Sequence, residues 1–228
     1  MLKINNLYVS FTKEFYTLND INFEIEAGHK LVVIGSKESG RTALIRTLVG
    51  LENPAKGEIF IKNIPLNKID FESDVSLAYL PAVPAFLENK TVKQNIEYVL
   101  NIRKEDARFV GIKTNNALIS YGLDFIKNKK VKSLNYLERI KLALARFSVR
   151  NIDLFLIDDI FTKLSSEETK KIIKSIKDLI KSNNAAALIM TETDVVANEL
   201  GYPRKYLIYG SMHDEPNCEL PKNDLKIN

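Results

Sequence analysis

Hydrophobic positions along this chain fall into three rhythms. One is the short unbroken apolar run. Residues 31–34 (LVVI), 154–157 (LFLI) and 185–190 (AALIM with its leading Ala185) are rich in β-formers and predict buried strands, with a further one over 206–209. The second rhythm has period two. It predicts a strand over 21–25; residues 2–4, 7–9, 58–61 and 75–80 also read as strands, with turns at Ala27-Gly28-His29, Asn53-Pro54 and Lys56-Gly57. The third is helical. Leu44, Ile45, Leu48 and Val49 stripe residues 42–49, and Val92, Ile96, Val99 and Leu100 follow Thr91, a good N-cap. Leu137, Ile140, Leu144 and Phe147 or Ser148 predict a helix over 134–149. Ile172, Ile173, Ile176, Leu179 and Ile180 predict one over 166–181, with Lys170, Lys174, Lys177 and Lys181 facing solvent. Residues 81–90, with two prolines, read as a loop, and 91–130 as a small helical region closed by the solvated run Lys127-Asn128-Lys129-Lys130. Strands alternating with helices predict an α/β fold with a parallel core sheet.

Composition narrows the picture without changing it. The chain has 228 residues, 45% hydrophobic and 27% charged, ordinary for a globular protein with a real core. That length suits one large domain, or a domain with a lobe. Lys and Arg number 33 against 29 Asp and Glu, and the net charge of +4 is too mild to argue for nucleic acid. A single cysteine, Cys218, lies in a polar stretch over 211–228 that reads as a loosely held tail, so no disulfide framework is expected and a reducing compartment is. Neither a targeting segment nor an 18-residue apolar run is expected from the sequence.

The candidate chemistry lies between the strand over 31–34 and the helix over 42–49. Gly35, Ser36, Lys37, Glu38, Ser39 and Gly40 form a loop there. Strand, glycine-bearing loop and helix in that order make a phosphate cradle, because loop N–H groups and the helix N-terminus point toward a bound anion. The pattern G-x-x-x-x-G-K-[ST] is met at Gly35, Gly40 and Thr42, while Arg41 stands where lysine is expected.

The order of these pieces resembles the nucleotide-binding subunit of an ABC transporter over nearly the whole chain. LVGLENPAKGEIFI, after the cradle, is similar to the family's helix end, turn and next strand. Tyr79-Leu80-Pro81 resembles its lead-in to the glutamine loop, Thr91-Val92 with Asn95-Ile96 the start of its helical subdomain, and Leu142–Arg146 (LALAR) the helix after its signature. Counting back from that helix places the LSGGQ signature on Leu134, Asn135, Tyr136, Leu137 and Glu138. The resemblance implies a P-loop fold of ABC type: a mostly parallel core sheet, an N-terminal antiparallel β subdomain and a helical subdomain over about 91–132, together one domain over 1–228. It implies ATP and magnesium as ligands, with Thr42 and Asp158 toward the metal and residues 35–43 around the phosphates, Ala43 standing where the family has a second hydroxyl. Phe11, or Tyr16, falls where the family stacks an aromatic ring on adenine, although Phe11 reads equally well as a strand residue packed on the sheet.

The reactive positions depart from that pattern. The glutamine of the glutamine loop falls on Ala82, the catalytic glutamate on Asp159, the D-loop aspartate on Ser165 and the switch histidine on Glu192. Arg41 keeps a charge, but its planar head cannot thread the loop as an ammonium does. Glu38 replaces a glycine and adds a negative charge. Asp159 is one methylene short, a misplacement of about 1 Å that can cost roughly 100-fold. Tyr136 and Leu137 are expected to put side chains where signature glycines let backbone approach a partner's phosphate. Weak Mg-ATP binding is therefore expected, as is hydrolysis that is impaired or absent. Asp158, Asp159 and Glu192 also leave open a divalent-cation site without nucleotide.

The resemblance implies a cytoplasmic, peripheral subunit that would dock on a membrane permease through the cleft between the core and residues 82–130. It would pair as a homodimer, or as a heterodimer with an intact ABC ATPase subunit. A pseudo-ATPase serving as an interaction or regulatory subunit is the alternative. Nucleic acid is not an expected partner.

Overall fold

The computed structural model of the protein describes residues 1–11, 15–71 and 73–216. Cys218 and most of the expected polar tail lie outside these residues. Two sheets form the body. The first is antiparallel. Its strand β1 (Leu2–Val9) buries Leu2, Ile4, Leu7 and Val9 and pairs with β2 (Leu18–Ile25). The strands expected at 2–4 and 7–9 are thus one strand. The register shifts between Ile4 and Leu7, where Asn6 adopts a left-handed φ of 45°. An inserted residue of this kind bulges the strand without ending it. On its other edge β1 pairs with β4 (Lys56–Ile61), which turns through Lys62 and Asn63, at φ of 52° and 64°, into the short β5 (Ile64–Pro65). Two consecutive left-handed residues are what a two-residue hairpin turn requires.

The second sheet has six strands: β3 (Lys30–Ile34), β6 (Leu77–Leu80), β7 (Leu154–Asp158), β8 (Ala186–Thr191), β9 (Arg204–Ile208) and β10 (Ser211–His213). Their spatial order is β10-β9-β3-β8-β7-β6, and all neighbours are parallel except β10 against β9. Every residue of β7 and β8 is buried, which is why those runs are continuously apolar. The first residues of the expected tail, Ser211–His213, are strand, with Ser211 opposite Ile208.

Helix α1 (Arg41–Leu48) packs between the sheets, its Ala43, Leu44, Ile45 and Leu48 sharing a core with β1, β2 and the near face of β3. The opposite face of the parallel sheet is covered by α4 (Tyr136–Ser148), α5 (Ser166–Asn183) and α6 (Asp194–Leu200). The helical subdomain is α2 (Val92–Ile102) with α3 (Ala107–Ser120). Helix α4 joins the two regions. Its Ile140, Ala143 and Leu144 enter the core beneath the sheet, while Leu142 and Ala145 enter the helical subdomain's core. The single stripe expected on this helix is therefore two.

Candidate functional site

Strands β3, β8 and β7 lie side by side, with Ile34 opposite Thr191 and Asp158 opposite Met190. Their C-terminal ends open on one edge, the place where a parallel sheet leaves a crevice. The loop over 35–40 leaves β3 there, Glu192 follows β8, and Asp158 and Asp159 end β7.

The loop is tied at several points. Gly35 N–H donates to the Thr191 carbonyl at 3.1 Å, and Ser39 donates to the Ser36 carbonyl from its N–H at 3.2 Å and its hydroxyl at 2.8 Å. Gly210 N–H donates to the Ser39 carbonyl at 3.0 Å, while its own carbonyl accepts from Asn19 N–H at 2.8 Å. A Cβ on Gly35 would strike Ser39 Oγ and the Leu207 carbonyl. Gly40 adopts φ of 100°, and a Cβ there would lie 2.7 Å from Leu18 Cδ2. Glycine is required at both positions. Helix α1 then starts with no side-chain cap and no acidic residue in its first turn. Helices α2 to α6 each begin with a capping side chain: Thr91, Asp106, Asn135, Ser165 and Thr193. Among the described α-helices, α1 alone keeps its first-turn N–H groups clear of a side-chain acceptor, the arrangement that suits an anion. Thr42 is exposed on that turn, and Ala43 is buried beneath it.

Arg41 is the departure. Its residue is 4% exposed. Nη2 donates to Glu192 Oε1 at 3.0 Å, and Nε donates to the Ser36 carbonyl at 3.3 Å. Nη1 lies 3.2 Å from Asp159 Oδ2, an ion pair too poorly aligned to be a hydrogen bond, so Nη1 is buried without a hydrogen-bond partner. The guanidinium is thus held by the two carboxylates at the ends of β7 and β8. Asp159 has φ of 41°, a left-handed conformation that aspartate tolerates better than most side chains. Burial raises the pKa values of Asp158 and Asp159 above the ordinary carboxylate value, and Arg41 opposes the rise at both. Lys37 also helps keep Asp159 charged.

Several expectations need correction. Among the described residues no three His, Cys, Asp or Glu are arranged to hold a metal ion. The cation between Asp159 and Glu192 is Arg41 itself, so the carboxylates form no metal cluster. Glu38 is exposed and does not adopt positive φ, so the loop does not need glycine there. Phe11 is not packed on the sheet: it lies beyond the end of β1 and is 55% exposed. Tyr16 is buried against Tyr8, their ring centroids 5.0 Å apart, with Lys56 Nζ 5.5 Å from its ring centre.

The signature segment is also different from expectation. Asn135 Oδ1 accepts from Glu138 N–H at 2.9 Å, and a Glu138 carboxylate oxygen accepts from Asn135 N–H at 2.9 Å. This is a capping box, and it closes the start of α4 upon itself. Tyr136 and Leu137 are partly buried, and both pack against the core beneath the sheet. The Tyr136 hydroxyl lies 2.9 Å from the Ile160 carbonyl and 3.1 Å from that of Ala82, with one proton to share between them. Burial, with Asp159 nearby, pushes this phenol up to about 12. The spacing Asn-x-x-Glu is a capping-box signal that the sequence reading, occupied with the signature, did not use. The partners of Arg41 were not visible in the sequence, because Glu192 lies 151 positions away. Beside Glu192 and Asp159 a cavity of about 300 Å³ opens, lined also by Phe161, Thr162, Thr193 and Val196.

Comparison with known proteins agrees with this architecture. The family model described as ABC transporter matches residues 18–162, and the chain belongs to that family. It is 26% identical over 201 residues to the molybdate/tungstate import ATP-binding protein WtpC of Pyrococcus horikoshii, covering 88% of this chain and 57% of that protein. The chain therefore spans a little over half the length of that relative. To the lipoprotein-releasing system ATP-binding protein LolD of Francisella tularensis it is 26% identical over 203 residues, covering 86% of this chain and 88% of the relative. An ATP-binding cassette solved as a dimer in a post-hydrolysis state, with ADP and Pi, superposes with a TM-score of 0.80 at 21% identity, covering 95% of this chain and all of that one. The α/β fold of ABC type, with its parallel core sheet, antiparallel sheet and helices, is therefore shown.

Proposed function

We propose that the protein is an ATP-binding subunit of an ABC-type transporter whose own site hydrolyses ATP poorly or not at all. The observation that carries this reading is Arg41, buried and shared between Asp159 and Glu192. In this reading residues 35–43 surround the phosphates, Phe11 is exposed near the end of β1 for the base, and Thr42 with Asp158 faces magnesium. The backbone of the loop suits a phosphate: α1 starts without a side-chain cap, and Gly40 lets the loop turn tightly against Leu18 into the helix. The side chains do not fit a terminal phosphate with its metal. Arg41, the one buried cation among the described residues, is already neutralised, Asp158 and Asp159 are partly desolvated, and the Ala82 side chain can neither ligate a metal nor hold a water. Binding of Mg-ATP is accordingly weak.

The signature face supports the same conclusion. The capping box of Asn135 and Glu138 satisfies donors at the start of α4 that would otherwise face a partner's phosphate. In a homodimer both sites would be poor. In a heterodimer with an intact ABC ATPase subunit, this chain would lend structure more than chemistry, which is the pseudo-ATPase role. Docking on a membrane permease, at the cytoplasmic face of the membrane, is supported by exposed apolar side chains along 82–130, among them Val83, Tyr98 and Ile102. Among the described residues no helix is long and apolar enough to cross a membrane.

Phosphate release by the purified protein tests the reading. Turnover is expected at background, and Asp159→Glu alone is expected to leave it there, because groups acting as one unit are not restored singly. Robust turnover that disappears in Asp158→Ala would overturn the proposal and make Arg41 and Asp159 competent in this setting.

A further inference from the structure

The two halves of the site differ in what they ask of a ligand. The backbone half favours negative charge. It comprises the uncapped first turn of α1 and the tied loop, which Gly35 and Gly40 let close against Ser39, Leu207 and Leu18. Arg41 Nη1, buried and without a hydrogen-bond partner, lies behind it. The side-chain half opposes negative charge. The strands beside the loop end in Asp158, Asp159 and Glu192, against the one guanidinium that the latter two already share.

We infer that this loop takes a nucleoside diphosphate in preference to a triphosphate. The inference rests on the nucleotide-binding reading above and specifies the ligand of that same site. Phosphates held by backbone N–H groups do not require Arg41 to move. A further phosphate adds negative charge to a rim of three carboxylates. To be neutralised it must draw Arg41 away from Asp159 and Glu192, leaving both without their partner in a half-buried setting. In a site of low effective dielectric, repulsion over a few ångströms outweighs the gain from additional loop contacts. Discrimination here comes from the unfavourable contact with the longer ligand, since the shorter one gains nothing extra. Asp159 and Glu192 are the residues that set it.

Calorimetric titration of the full chain with ADP and with ATP, each with and without magnesium, tests this directly. ADP is expected to bind at least about tenfold more tightly without magnesium, with a narrower gap of the same sign when the metal is present. ATP binding as tightly as ADP in both conditions overturns the inference while leaving the nucleotide-binding reading intact. No heat and no displacement of a fluorescent nucleotide by either ligand overturns that reading itself. Glu192→Gln, at the more exposed of the two carboxylates, should raise ATP affinity more than ADP affinity and reduce the ratio at least about threefold. A folded Glu192→Gln protein with an unchanged ratio would count against the assignment, and the wild-type ratio tests it even if the variant does not fold.

Discussion

In the nucleotide-binding reading proposed above, the starts of α1 and α4 occupy the two places where phosphate would be met, the chain's own and its partner's. They have been resolved in opposite ways. At α1 the side chains stand clear: Gly40 precedes the helix, no acidic residue sits in the first turn, and the N–H groups remain available. At α4 the side chains have closed in, with Asn135 and Glu138 each satisfying the other's backbone donor. Every helix start leaves orphan donors that something must satisfy. A helix N-terminus can serve an anion only while its own sequence leaves those donors unfilled. Arg41 adds a second lesson. At α1 the backbone stayed open while the side-chain cation was withdrawn to Asp159 and Glu192.

The strongest way to break the comparison is to remove that cation. Arg41→Met should destabilise the fold by about 3 kcal/mol, because it strands Asp159 and Glu192 beside the already buried Asp158. Urea denaturation reads this, and Arg41→Met combined with Asp159→Asn and Glu192→Gln should recover much of the loss. A single variant as stable as wild type would show that the ion pairs hold nothing together. Asn135→Ala should cost about 1 kcal/mol by uncapping α4. It should also leave the chain's own nucleotide affinity unmoved, since α4 is not part of its loop; a parallel fall in affinity would show the two helix starts to be coupled. The smallest effect concerns pH. Asp158 is raised above 3.8, chiefly by burial, so the folded protein holds its proton more tightly than the unfolded chain does. The stability this contributes is present below 3.8 and is lost as pH rises through the folded-state value. Asp158→Asn should therefore be stabilised relative to wild type at neutral pH, with the advantage shrinking in acid. A difference independent of pH between acid and neutral denaturation curves would refute it.

The fold was legible because its signals are local. Continuous apolar runs announce β7 and β8, and the isoleucine stripe announces α5. Short elements closed by backbone geometry were not: β5 depends on a two-residue left-handed turn at Lys62 and Asn63, and β10 has only three residues. The second stripe of α4 was missed because Leu142 and Ala145 read as part of one apolar helix until two cores claim its faces. At the candidate site the sequence identified which residues depart from the family pattern, but not where their side chains go. The destination of Arg41 depends on strands brought together from distant parts of the chain. Nor did the sequence disclose that the Tyr136 hydroxyl reaches the Ala82 and Ile160 carbonyls of its own chain.

Gly210 has a consequence of its own. Through its N–H it grips the loop at Ser39, and through its carbonyl it grips β2 at Asn19. The loop over 35–40 is thus stitched to both sheets, so its conformational entropy is surrendered when the chain folds and not when a ligand arrives. Amide hydrogen exchange at Gly210 and Asn19 should accordingly be slow in the ligand-free protein, and added nucleotide should slow it little further.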